Sequence, residues 1–407
     1  MFKISSSSQH LKATVSLPFS KSESNRALVM QYLSTVPIEI NNLSNADDTI
    51  LLQQLLDSDE KILDCGDGGT TIRFLLACKA LTDEERIITG SNRLCNRPIG
   101  QLVSALNQLG ANIVYEASEG YPPLRILKSN IRGSEVEVDA SISSQFISAL
   151  ILIAPVLPGG LKLVLNGKII SRSYIELTLD MMKNNGVQSV WNNDVIEIMP
   201  QFYNDSVINI GADWSAASYF FSIAAVATHA DLMLKGLSLS SKQPDRIIAE
   251  ITKQFGVLVG EIPGGIRIRK QSGTIRPDYF EFDFSNCPDL AQTVAFMCAA
   301  LKIPSKLTGL DTLNYKETER IKAIATELQK LNCDVVEHLQ ALEIYPEMIN
   351  VPTGINFNSY GDHRMIMSVI PLSMISGGCY IDEIKHVSKS FPGFWSEMDK
   401  LGIAISK

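Results

Sequence analysis

The chain has 407 residues, 45% of them hydrophobic, with a net charge of −8 and an isoelectric point near 5.3. These values suit an ordinary soluble globular protein with core enough for two domains. The acidic balance argues against a general nucleic-acid or anionic-membrane surface, so a site for an anionic ligand has to be a local basic pocket.

The predicted elements alternate short β-type runs with amphipathic helices, which places the fold class as α/β (α+β). From the N-terminus, a strand over 12–17 leads into Ser20-Lys21-Ser22-Glu23-Ser24-Asn25-Arg26. Ser20 and Glu23 have capping-box spacing. A helix start carries partial positive charge and prefers acids. Lys21 and Arg26 crowd this one with cations, which suits a bound anion. A helix over 50–56 follows, then the glycine-rich Cys65-Gly66-Asp67-Gly68-Gly69-Thr70-Thr71-Ile72-Arg73, where Thr70 can cap and glycine lets backbone approach a ligand. A strand over 87–90 precedes Arg97-Pro98-Ile99, with Pro98 suited to a first helical position and Arg97 at the cap of a helix over 99–109. Strands over 113–115 and 124–127 lead to Ser143-Ser144-Gln145-Phe146 and an apolar run to Leu157 that fits a buried helix.

Further on come strands over 161–165, 195–199, 231–234 and 266–269, and helices over 174–184, 246–255 and 316–331. Gly110, Gly186 and Gly256 each close a helix just before an apolar run. Asp289 follows Pro288 at a helix start, where an N-cap is the plain reading. Asn314 and Glu317 have capping-box spacing. Glu317 also begins the apolar stripe Ile321, Ile324, Leu328, Leu331, where a pocket would raise its pKa enough for proton transfer. Lys316 and Arg320 share one helix face. Asp362 is the expected cap of a helix with Arg364 just inside, and Lys389 precedes another proline-initiated helix.

A repeat underlies this order. Ser22, Thr70, Ser144, Ala216, Asp289 and His363 open comparable small-or-polar starts to apolar helices, with gaps of 48, 74, 72, 73 and 74 residues. Four near-equal gaps indicate supersecondary units of about 73 residues, the first of them about 25 residues short and missing a strand pair. Six units suggest two domains: 12–211, and 1–11 plus 212–407, with the first residues returning to complete the second. A ligand site is then expected in the cleft between them. Seven scattered cysteines with no Cys-x-x-Cys spacing read as reduced thiols in a cytoplasmic protein without a zinc site. No apolar run reaches membrane-spanning length, so neither membrane nor nucleic acid is an expected partner.

Taken together, Ser20-Lys21-Ser22-x-Ser24-Asn25-Arg26-Ala27, Gly69-Thr70-x-x-Arg73, Arg97-Pro98-Ile99, Ser143-Ser144-Gln145-Phe146, Lys316-Glu317-Thr318-x-Arg320 and Asp362-His363-Arg364-Met365 resemble the 5-enolpyruvylshikimate-3-phosphate synthase family, in family order over nearly the whole chain. The resemblance implies two similar domains, each of three βαβαββ units around buried helices, with the active site in the cleft between them. It implies transfer of the enolpyruvyl group of phosphoenolpyruvate to shikimate 3-phosphate in the shikimate pathway, without metal or organic cofactor, in a monomer that glyphosate inhibits.

By resemblance, Lys21, Ser22, Arg26, Ser143, Ser144, Gln145, Ser171, Tyr174, Asp289, Thr312 and Lys316 bind shikimate 3-phosphate. Lys21, Gly69, Thr70, Arg97, Gln145, Arg320, Arg364 and Lys389 bind phosphoenolpyruvate. Asp289 and Glu317 move protons, with Lys21 and His363 nearby. Two positions depart from the family pattern: Phe74 replaces a proline and Thr312 an asparagine. The related UDP-N-acetylglucosamine enolpyruvyl transferase uses a loop cysteine five residues before its Arg-Pro pair; this chain has Asn92 there, and Cys95 is out of place. A non-catalytic anion-binding protein would use the same basic helix starts without Asp289 and Glu317 beside them.

Overall fold

A computed structural model describes residues 1–271 and 273–407. The chain divides into a continuous unit, Lys21–Ile210, and a two-segment unit, Met1–Ser20 with Gly211–Lys407. The division therefore falls after Ser20, not before Lys12. Strand His10–Ser16 pairs in parallel with His229–Lys235, which places residues 12–20 in the two-segment unit rather than with 21–211. Strand Phe2–Ser6 likewise lies between Cys379–Ile381 and Ile403–Ser406, antiparallel to both.

The repeat is visible in the sheets. Five have four strands, and each joins one parallel pair to an antiparallel pair; that pair is a hairpin in four of them, while in the fifth it is Phe2–Ser6 with Ile403–Ser406, from opposite ends of the chain. In the continuous unit, for example, Ile62–Asp64 runs parallel to Arg86–Thr89, followed across the sheet by Leu124–Leu127 and Asn112–Tyr115. The sixth sheet holds only Ile38–Asn41 and Ser206–Asn209, in parallel. This is the short first repeat: its parallel pair is kept and its hairpin is missing.

Each unit packs its sheets around helices that bury a continuous run of residues rather than a single stripe, with Ser24, Asn25 and Arg26 buried among apolar neighbours in the first of them. Lys21–Leu33, Gly69–Lys79 and Ser144–Ile153 do this in the continuous unit. Trp214–Val226, Ala291–Ala300 and the pair His363–Ser368 and Ile370–Ser376 do it in the other, where every residue of Ala291–Ala300 is buried. The six repeat anchors all fall within three residues of these helix starts. The turn into several of them is also repeated: Asp64, Asp139 and Asp283 each accept, at 2.8 Å, the backbone N–H two residues on. The outer helices are amphipathic. Arg172–Asn184 buries Ile175, Thr178, Met181 and Met182 and exposes the rest of its polar face. No helix is long and apolar enough to cross a membrane among the described residues.

Candidate functional site

In the continuous unit, the starts of the three buried helices are stitched together by side chains. Lys21 Nζ donates to Asp48 Oδ2 at 2.9 Å, and the Asp48 carbonyl accepts from Thr71 Oγ1 at 3.1 Å. Thr70 Oγ1 accepts from Gln145 Nε2 at 3.0 Å, and Ser143 Oγ caps the third helix by accepting from Gln145 N–H. Lys21, Gly69, Thr70, Ser144 and Gln145 are thereby brought together. Thr70 is not a cap: the helix begins at Gly69, and Gly68 precedes it without a side-chain cap bond.

Arg97 is not at a helix cap either. The helix begins at Gly100, and Arg97 lies in the turn after the short helix Asn92–Cys95. Its guanidinium is packed against Gly69, where an added Cβ would come within 2.8 Å of Arg97 Cζ. Arg73, from the same helix as Gly69, donates to Gly69 O at 2.7 Å and Pro98 O at 3.2 Å, and so fixes both backbones that frame Arg97.

Arg26 faces inward. It donates to Thr178 Oγ1 at 2.7 Å, Ser22 O at 2.9 Å, and Ser148 Oγ and Tyr174 O at 3.3 Å, and its Cζ sits 5.7 Å from the centre of the Phe74 ring. Burial lowers its pKa to about 10, so it remains charged at neutral pH. Ser171, just before helix Arg172–Asn184, is buried with a left-handed φ of 50°, a rare state for a residue with a side chain.

In the two-segment unit, sequence-distant charges form one cluster. Arg320 is 1% exposed. It donates through Nε to Asp362 Oδ2 at 2.8 Å, through Nη1 to Asp289 Oδ1 at 3.1 Å, and through Nη2 to Glu317 Oε2 at 2.7 Å. Asp289 Oδ2 also accepts from Arg364 Nη2 at 2.9 Å, and Lys316 Nζ lies 3.5 Å from Oδ1. Glu317 Oε1 accepts from Lys389 Nζ at 3.2 Å. His363 Nδ1 is 3.6 Å from Asp362 Oδ1. Asp362 caps its helix by accepting from Arg364 N–H at 2.8 Å.

Helix Arg320–Gln329 starts four residues later than the sequence pattern suggests, so Glu317 lies outside it and no capping box forms. Glu317 meets two cations in place of the expected apolar stripe. Asp289 also makes no cap bond to the helix that follows. Burial would push its carboxyl up, but Arg364, Lys316 and Arg320 outweigh burial and hold it well below the usual carboxylate range. Lys316, Arg320, Arg364 and Lys389 thus gather around Asp289, Glu317 and Asp362 in one cluster, a concentration of donors that suits an anionic ligand. Thr312, just ahead of Lys316, keeps a buried Oγ1 without a hydrogen-bond partner among the described residues.

Sequence reasoning missed three neighbours. Asp48 pairs Lys21, and Tyr219 lies with its hydroxyl 3.5 Å from Arg364 Nη1. Asp245 is buried, accepts from Ser215 Oγ, and is raised to about 6 by burial and by the charge of Asp289. Only the fold brings these side chains to the site; no local pattern marks them.

The model of the family described as EPSP synthase (3-phosphoshikimate 1-carboxyvinyltransferase) matches residues 51–398. The chain is 41% identical over 402 residues to a 3-phosphoshikimate 1-carboxyvinyltransferase of Bacteroides fragilis, covering 98% of each chain. It is 32% identical over 424 residues to the protein of that name from Methanopyrus kandleri, covering 97% of each. A solved EPSP synthase structure from Acinetobacter baumannii shares the fold, with a TM-score of 0.77 at 20% identity, covering 100% of this chain and 99% of that one.

Proposed function

The chain belongs to the EPSP synthase family, and from that premise we infer how its side chains divide the work of the reaction. The protein transfers the enolpyruvyl group of phosphoenolpyruvate to the 5-hydroxyl of shikimate 3-phosphate and releases phosphate, a step of the shikimate pathway. The hydroxyl oxygen bonds to C2 as its proton leaves and C3 gains a proton, giving a tetrahedral intermediate. C3 then returns a proton as the C2–O bond to phosphate breaks.

The observation that carries the assignment is that Arg320 bridges Asp289 and Glu317, two carboxylates in a cluster of cations. Asp289 is the base for the 5-hydroxyl because its cations hold it ionised. Glu317 exchanges the C3 proton, and Lys389 and Arg320 hold its orientation. Lys21 and His363 assist, Lys21 at the departing phosphate. Arg97, Arg320, Arg364 and Lys389 take the anionic groups of phosphoenolpyruvate, with Lys21, Gly69, Thr70 and Gln145 beside them. Shikimate 3-phosphate takes Lys21, Ser22, Arg26 and the hydroxyl-rich Ser143, Ser144, Gln145, Ser171 and Tyr174. Asp289, Thr312 and Lys316 take its ring hydroxyls, and the unpartnered Thr312 Oγ1 supports that placement.

Phosphate release is the test, with phosphoenolpyruvate and either shikimate 3-phosphate or UDP-N-acetylglucosamine as acceptor. Release only with shikimate 3-phosphate is expected. Release only with the UDP-sugar overturns the reading.

A further inference from the structure

Helix Arg320–Gln329 carries Arg320 at its start and Glu327 two turns later. Glu327 is completely buried and has no part in the chemistry above. Its Oε1 accepts from the Tyr360 hydroxyl at 2.6 Å. Its Oε2 accepts from the Asn358 backbone N–H at 3.2 Å and from Lys330 Nζ at 2.6 Å. Lys330 Nζ donates in turn to Asn356 O at 3.2 Å. One carboxylate and its lysine thus tie the chain from 356 to 360 onto the helix.

What they hold is a strained turn. Tyr360 has φ 55°, and a bulky aromatic residue in the left-handed region is a genuine outlier that persists only when its surroundings over-determine it. Gly361 follows at φ 63°. The turn is pinned again where Ser359 N–H donates to Asp382 Oδ1 at 2.7 Å and Asp362 N–H donates to Ser359 O at 2.9 Å. Asp362 is the next residue: its carboxylate receives Arg320 and caps the turn that bears Arg364. The helix therefore grips this segment twice, by Arg320 on Asp362 and by Glu327 on the Asn358 N–H and the Tyr360 hydroxyl. Burial and the bond to Glu327 push the Tyr360 phenol up to about 12, so it stays a donor through any assay range.

We propose that Glu327 is a positioning residue for enolpyruvyl transfer, holding Tyr360 in its left-handed state and so fixing Asp362, Arg320 and Arg364 for the anionic groups of phosphoenolpyruvate. The inference rests on the assignment of Arg320 and Arg364 to phosphoenolpyruvate made above. A bond that only stapled the fold would change melting temperature and leave the two substrates' KM values in their original ratio.

The test is steady-state kinetics on full-length Tyr360→Phe, Glu327→Gln and the control Arg364→Lys, each substrate varied separately and folding checked by thermal melt. Tyr360→Phe should raise KM for phosphoenolpyruvate roughly 10-fold with KM for shikimate 3-phosphate within about 2-fold, because a misplaced orienting group acts on the ligand it orients. Glu327→Gln keeps an oxygen for the Tyr360 hydroxyl and should fall between Tyr360→Phe and wild type; if it does not fold, Tyr360→Phe decides alone. A folded Tyr360→Phe with wild-type KM for phosphoenolpyruvate, beside an impaired Arg364→Lys, overturns the proposal and leaves the site assignment standing. An unimpaired Arg364→Lys overturns the assignment and the proposal together.

Discussion

Gly69 shows how one missing side chain shapes this site. Any β-carbon there would collide with the Arg97 guanidinium, which Arg73 frames through Gly69 O and Pro98 O. Gly69→Ala should displace Arg97, raise KM for phosphoenolpyruvate by roughly 10-fold or more, and weaken inhibition by glyphosate, which the family resemblance implies as a competitor of phosphoenolpyruvate. Steady-state inhibition kinetics check this; unchanged constants for both ligands would remove Gly69 from the pocket wall. Asp245 offers a second measurement. Its folded pKa of about 6 lies above the ordinary carboxylate value of 3.8. Between these values the unfolded chain releases the proton while the folded chain keeps it, so stability falls as pH rises through that window and stays lowered above it. Asp245→Asn removes the ionisation while leaving an acceptor for Ser215. The variant's unfolding free energy, from thermal or denaturant melts at each pH, should therefore gain on wild type from pH 4 to 7 and then run parallel, by an amount on the order of 1–3 kcal/mol. Parallel profiles throughout would show that Asp245 does not titrate in this window. The cations of the site were legible because the sequence pattern set them at helix starts, where acids belong, although Arg97, Lys316 and Lys389 prove to lie outside helix starts. Their partners Asp48 and Asp245 were not, because an acid beside a helix start breaks no rule.

At the scale of elements, the eight strands read from alternation and flanking glycines are all found, but short strands such as Ile38–Asn41, Ile62–Asp64 and Ile355–Phe357 carry too few residues to show a period and were not legible. Leu124–Leu127 falls where the pattern puts it, and Lys12–Leu17 is found as His10–Ser16. The helix starts were less legible. The capping-box spacing of Asn314 and Glu317 suggests a start at Lys316, but the backbone enters the helix only at Arg320, after the 3₁₀ turn Leu313–Tyr315. Because Glu317 lies outside the helix, replacing its charge costs no cap. That separates chemistry from structure: Glu317→Gln and Asp289→Asn should each lower kcat by roughly 10²–10⁴, the range for a positioned acid or base. Glu317→Gln should still bind shikimate 3-phosphate in calorimetry. Near wild-type turnover by Glu317→Gln would leave Lys21 to move the C3 proton.

At the scale of the whole molecule, the repeat spacing exposed the architecture, and even the two-stranded first sheet was foreshadowed by a gap of 48 residues where others are near 73. The boundary after Ser20 was not foreshadowed, because strand His10–Ser16 looks the same whichever sheet receives it; only its register with His229–Lys235 decides. The partnership has a consequence for function. Phe2–Ser6 is an interior strand, hydrogen-bonded on both sides, and Ile4 is buried in the core that also contains Leu290, Ile321 and Met365, neighbours in sequence of Asp289, Arg320 and Arg364. Deleting residues 1–6 leaves Cys379–Ile381 and Ile403–Ser406 without their shared partner and opens a cavity at Ile4, for which loss of a large core side chain alone costs about 2–5 kcal/mol. The truncated chain should therefore lose turnover although it lacks no proposed site residue. Hydrogen exchange by mass spectrometry would locate the damage. Amides of 211–407 should lose protection, while those of Lys21–Ile210, whose strands pair only among themselves, keep theirs. Equal loss across both units would mean that the continuous unit does not hold its fold when the other is breached.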